Sequence, residues 1–399
     1  MRLLPLLLIA AAQTGPRIQV SNTAEGLRGV SAVSRQIAWS SGTHGTYLRT
    51  TDGGATWTPA QVPDAATLDF RAVVAFSADE AFLMSAGPAD QSRIYHTSDA
   101  GQHWQLQFTN TNPKGFFDSM VFWDRTHGIV LGDPVPDVSG TLKFELLRTD
   151  DGQTWRPIPP DQLPPAQEGE GAFAASNSCL AILNEMTTST EAWRGNEAWR
   201  SNKTWKSGPS GPREAPIQIG ASAPVTPDSN IWFATGGKVA RVLHSPDRGQ
   251  TWQVFATPLI HGQDSTGIFS IAFRDALHGV IAGGDYKHPG QDGPNLAFTE
   301  DGGKTWTLSP IHPQAYFSAV AYDRKINDET AAELKGKRTT QQERLFLVGH
   351  DFIFDYRPPS RPGRLNATKS PEIEFNAVAP YPEGGALVVG PKGVIATVP

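Results

Sequence analysis

One octad recurs along the chain and constrains what it can fold into. It reads Thr50–Trp57 (TTDGGATW), then Thr97–Trp104 (TSDAGQHW), Arg148–Trp155 (RTDDGQTW), Ser245–Trp252 (SPDRGQTW) and Thr299–Trp306 (TEDGGKTW). Each copy has an Asp, a Gly two residues on and a Trp five residues on, and each follows a short apolar run such as Thr46–Arg49 or Ala240–Leu243. The pattern reads as strand, tight turn, strand. The Gly takes positive φ without a steric penalty. The Asp carboxylate accepts backbone N–H groups inside the turn. The Trp opens the next strand with a large apolar plate. Copies at a near-regular interval mark equivalent units stacked side by side.

The octad resembles the Asp-box, or BNR repeat, of β-propellers. An Asp consumed in its own turn is not a catalyst, and five equivalent turns do not form one active site. Asp52, Asp99, Asp150, Asp247 and Asp301, with Trp57, Trp104, Trp155, Trp252 and Trp306, are therefore expected to be structural. Many sialidases carry such boxes, but the box speaks for the fold and not for the chemistry.

A second periodicity lies upstream of the boxes. Seven first-strand starts can be read, at Arg28, Arg71, Asp118, Gly171, Phe269, Ser318 and Asn376. Second strands follow, several ending in Gly, as in Ile37–Gly42, Ala81–Gly87 and Val280–Gly283. Phe122–Asp133 (FWDRTHGIVLGD) nearly repeats as Phe273–Asp285 (FRDALHGVIAGGD). The expected fold is all-β: a seven-bladed β-propeller of four-stranded antiparallel blades, with the box turns between strands three and four. Phe375–Val398 supplies three strands, and Arg17–Val20 is expected to add the fourth and close the ring, which removes free sheet edges. The gap from Asp150 to Asp247 is about twice the others, and residues 185–229 read as an insertion carrying a Trp-Arg/Lys repeat (Glu191–Lys206) and a Pro/Gly-rich stretch. A decayed box at Arg200–Trp205 leaves an eight-bladed alternative. Residues 324–343 form a second, charged insertion, and in the sixth blade Asp351–Pro359 stands where a box is expected.

The length of 399 residues suggests two or three domains, but the repeat favours a single propeller over 13–399. A net charge of −6 argues against nucleic acid as partner. No apolar stretch is long enough for a transmembrane span. Met1-Arg2, the apolar run Leu3–Ala12 and its Ala-Ala-Ala end predict a signal peptide over 1–12, and so a secreted or periplasmic protein. Cys179 is the sole cysteine, which rules out an intrachain disulfide; its apolar surroundings predict a buried small hydrophobe.

Beyond residue 15 the chain resembles the secreted bacterial propellers related to the photosystem II stability/assembly factors. The motifs carrying the resemblance are Leu27–Trp57, Phe116–Val135, Gly169–Asn177 (GEGAFAASN) and Ile268–Tyr286. It implies a seven-bladed propeller acting as a binding or assembly platform. The Trp-rich insertion and the missing late box depart from the pattern.

In a four-stranded blade the loop into strand one and the loop out of strand two share a face, here termed the upper face. Its candidate binding residues are Arg28, Arg71, Asp118 and Glu170 at first-strand starts, and Asp133, Asp285, Tyr286 and His350 (with His44) at second-strand exits. They are expected to form a mixed-charge funnel for a polar ligand such as a glycan, or for a protein or peptide partner; Arg71 is expected to pair with Asp118. His127 and His278 fall in turns of the opposite, lower face and read as structural. The favoured function is a non-enzymatic binding platform. The alternative is a sialidase-type glycoside hydrolase, in which Asp118 and Glu170 would act as an acid/base pair. Only two arginines are available to clamp a carboxylate, and Tyr286 has no obvious glutamate partner. No catalytic residue, metal site or cofactor is assigned: the sequence holds no dinucleotide fingerprint, no Cys pair and no dense His cluster.

Overall fold

The computed structural model describes residues 15–183, 229–311, 313–324, 344–350, 352–357, 364–369 and 373–399. The leader-like residues 1–12, the Trp-rich segment with its decayed box and nearly all of the charged insertion lie outside the described residues.

The described strands form seven antiparallel sheets in succession around an axis. Blade 1 comprises Leu27–Ala32, Ala38–Gly42, Thr46–Thr50 and Thr58–Gln61, from the axis outward. Blade 2 runs from Asp69–Ala75 to Gln105–Thr109, and blade 3 from Phe117–Phe122 to Arg156–Pro157. Blade 4 is Leu180–Ile182, Ile231–Ala234, Arg241–Ser245 and Gln253–Ala256. Blade 5 starts at Thr266–Phe273 and blade 6 at Phe317–Tyr322. Blade 7 consists of Ala377–Pro380, Ala386–Val389 and Ile395–Val398, with Arg17–Gln19 pairing antiparallel to the last of these. The N-terminal strand thus completes the C-terminal blade, as expected. Among the described residues the ring holds seven blades and no eighth. No described helix is long and apolar enough to cross a membrane.

Packing follows from the two-fold strand period. Inner strands are buried on both faces, because each blade is sandwiched between neighbours. Seven apolar clusters fill the seven interfaces between adjacent blades: Trp39, Phe70 and Tyr95 meet between blades 1 and 2, and Leu27, Trp57, Tyr381 and Ile395 close the ring between blades 7 and 1. Complete burial of one such side chain contributes about 1.5–3 kcal/mol.

The box turns carry an additional element. Thr50 Oγ1 donates to Asp52 Oδ1 at 2.9 Å and accepts the Gly54 N–H at 2.9 Å, while Asp52 Oδ1 accepts the Thr56 N–H at 2.9 Å. The hydroxyl two residues before the Asp is therefore part of the motif, and Gly54 sits at φ +81°, where a side chain would be strained. The same net recurs around Asp99, Asp247 and Asp301. In the third copy the structure corrects the sequence reading. Thr149 Oγ1 donates to Asp151, which also accepts the Gln153 and Thr154 N–H groups. Asp150 lies one residue off this net and pairs with Arg148 at 3.2 Å.

Two further expectations change. In the stretch that stands where a sixth-blade box is expected, Phe352–Arg357 is the third strand of blade 6. Gly171–Ala174 is not the first strand of blade 4, which begins at Leu180. Glu170–Gly171 instead pairs with Gly236–Gly237, and both join the sheet of blade 5.

Candidate functional site

Between Gly171 and Leu180 the chain leaves the sheets and crosses the axis. It is held by hydrogen bonds to four blades. Arg71 of blade 2 donates to the Ala174 carbonyl at 2.9 Å. Asn177 takes the Met120 N–H at 2.7 Å and donates to the Met120 carbonyl at 3.0 Å, in blade 3. Ser178 bonds to Ser270 Oγ at 2.8 Å in blade 5, and Ser176 to the Ser318 carbonyl at 2.7 Å in blade 6. The segment acts as a plug. Small residues (Ala172, Ala174, Ala175) let it fit the narrow axis, and its Asn and Ser side chains satisfy backbone groups of the inner strands of blades 3 and 6. The plug divides the channel in two. Ala172–Ala175 floor an upper cavity of about 400 Å³, and Asn177 with Leu180–Ile182 roof a lower one of about 410 Å³.

The lining of the upper cavity follows one backbone rule. In five first strands the register skips a single residue: Arg28 between Leu27 and Gly29, Arg71 between Phe70 and Ala72, Asp118 between Phe117 and Ser119, Phe269 between Ile268 and Ser270, and Ser318 between Phe317 and Ala319. A β-bulge leaves the extra residue unpaired and re-aims its side chain. All five skipped residues line the upper cavity, joined by Asn376 at the start of blade 7. Asp133 and Tyr286 arrive from second-strand exits, and Phe116, Phe173 and Tyr316 complete the wall.

The charges inside are unevenly matched. Asp69 is shared by two guanidinium groups, Arg71 Nε at 2.9 Å and Arg28 Nε at 3.7 Å. The expected Arg71–Asp118 pair does not form; Arg71 spends its donors on Asp69 and the plug. Asp118 is 1% exposed, and its Oδ2 has no hydrogen-bond partner. Burial, then the neighbouring Asp133 carboxylate, push the Asp118 acid well above the usual carboxylate range, against the opposing pull of Arg71 and the Ala174 N–H. Asp133 accepts the Ala172 N–H at 3.0 Å and is also pushed up by burial. Phe173 stacks on Phe269 at 3.8 Å, and Phe269 meets Tyr316 and Tyr286 edge-on. Burial raises the Tyr316 phenol, so it stays protonated.

The structure thus brings together Arg28, Arg71, Asp118, Asp133 and Tyr286 and leaves the other three candidates apart. Glu170 is buried in a closed network, taking Arg241 Nε at 2.8 Å, Thr235 Oγ1 at 2.7 Å and the Gln167 N–H at 2.8 Å. With its lone pairs engaged it has no part in an acid/base pair with Asp118. Asp285, 5% exposed, is bound to His288 at 2.8 Å and to the Lys287 N–H. His350 pairs with Glu374. His44 pairs with Glu25 at 2.7 Å. His127 and His278 bond to Asp124 and Asp275 in lower-face turns, as expected. Sequence reasoning missed Asp69 and the aromatic wall of Phe116, Phe173, Phe269 and Tyr316.

Residues 17–114, spanning the closing strand and blades 1 and 2, match the family model described as photosynthesis system II assembly factor YCF48. No curated protein sequence matches the chain. Among solved structures, YCF48 bound to a D1 peptide superposes with a TM-score of 0.57 at 15% identity, covering 98% of each chain. YCF48 from Cyanidioschyzon merolae gives 0.54 at 14% identity, covering 96% of this chain and 98% of that one. The WD40 propeller domain of Doa1 gives 0.55 at 11% identity, covering 96% and 97%. The chain is a BNR-repeat propeller similar to the YCF48-type assembly factors, and at these identities the structural likeness speaks for the fold.

Proposed function

We propose that this propeller is a non-enzymatic binding platform that holds a segment of a partner protein over the upper axial cavity. The observation that carries the reading is the repeated bulge. Five first strands share one backbone device, flanked by a large apolar residue and a small one, while the residue it aims at the axis varies freely: Arg, Arg, Asp, Phe, Ser. A constant scaffold with variable aimed side chains is how a ring of blades builds a recognition surface. Two guanidinium groups beside an aromatic wall suit a peptide that carries both a charged and an apolar group. The family match over residues 17–114 and the likeness to a propeller that binds a D1 peptide support a peptide partner.

Sialidase-type hydrolysis fits the cavity poorly. Two arginines, not three, line it, and one of them is engaged with the plug. Tyr316 is held as a phenol by burial, which opposes a nucleophilic role. The leader-like Met1–Ala12 run supports export of the protein, and sequencing the mature N-terminus tests that point.

The platform reading is tested by site-specific photo-crosslinking in cells of the source organism. A crosslinker at Tyr286, 47% exposed at the upper cavity, is expected to trap a partner segment. One at Leu277, 53% exposed in a lower-face turn, is expected not to. Arg28→Glu should reduce the Tyr286 adduct by about tenfold. Equal adducts from both positions, or none from Tyr286, would overturn the reading.

A further inference from the structure

We propose that the upper cavity is a carboxylate-binding site in which a ligand carboxylate, attracted by Arg28 and Arg71, lies between Arg28 and Asp118 and is hydrogen-bonded by the Asp118 carboxyl group. The inference rests on the platform reading and specifies the chemical group that the cavity takes.

Three observations converge. First, the bulge between Phe117 and Ser119 aims Asp118 into a cavity of about 400 Å³ while leaving it 1% exposed. A buried carboxyl oxygen without a partner is costly, and Asp118 Oδ2 is such an atom. Second, no described cation lies within ion-pair distance of Asp118, although Arg71 is near enough to pull on its charge. The groups facing it from the packed elements are Asp133 from the second strand of blade 3, Arg71 from blade 2, and Cys179 and the Ala174 N–H from the plug. Across the cavity stand Arg28 with Asp69, Tyr316 and Tyr286. Asp133 repels a charge on Asp118, and burial does so more strongly. The proton therefore stays, and the O–H needs an acceptor. Third, Arg28 Nε has no hydrogen-bond partner and meets Asp69 only at 3.7 Å. One shared Asp69 against two arginines leaves a net positive charge opposite the protonated acid. An anionic oxygen entering between them satisfies both orphaned groups, while an apolar side chain on the same ligand packs on Phe173 and Phe269.

The probe is N-acetyl-phenylalanine, which carries one carboxylate and one ring, compared with N-acetyl-phenylalaninamide. Binding to the full chain is measured by calorimetry from pH 5 to 9. The acid should bind and the amide should bind at least about tenfold more weakly. Affinity for the acid should fall as pH rises through the Asp118 ionisation, by up to about tenfold per pH unit. The sign follows because an ionised Asp118 repels the ligand. Asp118→Asn keeps an N–H donor at that place and should bind the acid without this pH dependence. Arg28→Gln should weaken the acid at every pH and leave the slope unchanged. Equal binding of acid and amide, no binding of either, or a wild-type slope in Asp118→Asn would overturn the proposal. Its failure is distinct from failure of the platform reading, because the Tyr286 crosslink depends on a partner and not on the carboxylate.

Discussion

Arg71 reaches across the axis to donate to the Ala174 carbonyl at 2.9 Å, so a blade 2 side chain fixes the segment that plugs the channel. The plug is the feature that makes the upper cavity a closed cup rather than a pore, and its lower anchor is Asn177. That residue sits at φ +61° and satisfies both backbone groups of Met120. Asn tolerates this conformation better than most residues. Asn177→Ala leaves a buried N–H and a buried carbonyl unpaired, and it is expected to cost about 2–4 kcal/mol. Chemical denaturation measures the loss, and hydrogen exchange should show it concentrated in residues 172–179. A change within 0.5 kcal/mol would show that the plug is held by packing alone.

The third box offers a pairwise test of which carboxylate closes the turn. Asp151→Ala removes the acceptor for the Gln153 and Thr154 N–H groups and for the Thr149 hydroxyl. Asp150→Ala removes one ion pair with Arg148 at the surface, worth little. The first substitution should lower the Tm by roughly 2–4 °C, and the second by less than about 1 °C. Differential scanning calorimetry decides, and the reverse order would return the turn to Asp150. The Thr154 N–H, followed by the Gln153 N–H, also holds the Asp151 carboxyl well below the usual range. A depressed carboxylate stabilises above its unfolded pKa and loses that contribution as pH falls through the folded value, so the gap between Asp151→Ala and wild type should begin to narrow as pH falls below about 3.9.

The boxes were legible because each turn is local: hydroxyl, carboxylate and amides lie within seven residues. The error at Asp150 came from counting back from Gly152 and Trp155, whereas the chemistry counts forward from Thr149 to Asp151. The cavity lining was half legible. Leu27-Arg28-Gly29, Phe70-Arg71-Ala72, Phe117-Asp118-Ser119, Ile268-Phe269-Ser270, Phe317-Ser318-Ala319 and Phe375-Asn376-Ala377 all read large apolar, aimed residue, small. That triplet locates the bulge and would have added Phe269, Ser318 and Asn376 to the site. Asp69 stands two residues before Arg71, on the same side of a strand, a spacing that favours the pair over the neighbouring blade's Asp118. The fate of Glu170 was not legible. Its partner Arg241 lies 71 residues away, across a segment whose length gives no register.

Glu170 is therefore expected to behave as a core residue. Its side chain is fully buried and Arg241 is 14% exposed, so removing one partner strands the other charge. Glu170→Ala should cost about 3–5 kcal/mol, and Glu170→Ala with Arg241→Met should recover part of it. Urea denaturation of the wild type and the two variants measures the loss and the recovery. A single variant with wild-type stability would mean that the network is not formed in solution.

At Asp118 burial acts with the opposite sign. Its acid is raised by burial and then by Asp133, so the folded state prefers the proton more than the unfolded chain does. Such a group contributes stability that is fully present below the unfolded pKa of about 3.9 and is lost as pH rises through the folded value. Asn at this position keeps the shape and an acceptor for the Ala174 N–H but carries no proton to lose. Asp118→Asn should accordingly match wild type near pH 4 and exceed it as pH rises, by up to about 1.4 kcal/mol for each pH unit within the window between the two pKa values. Asp133 is raised in the same direction and remains in the variant, so the variant should retain a shallower slope of its own. Thermal melts from pH 4 to 9 read the difference directly. A gain that is constant across that range, or one that grows toward acid pH, would show that Asp118 is not the group that holds the proton.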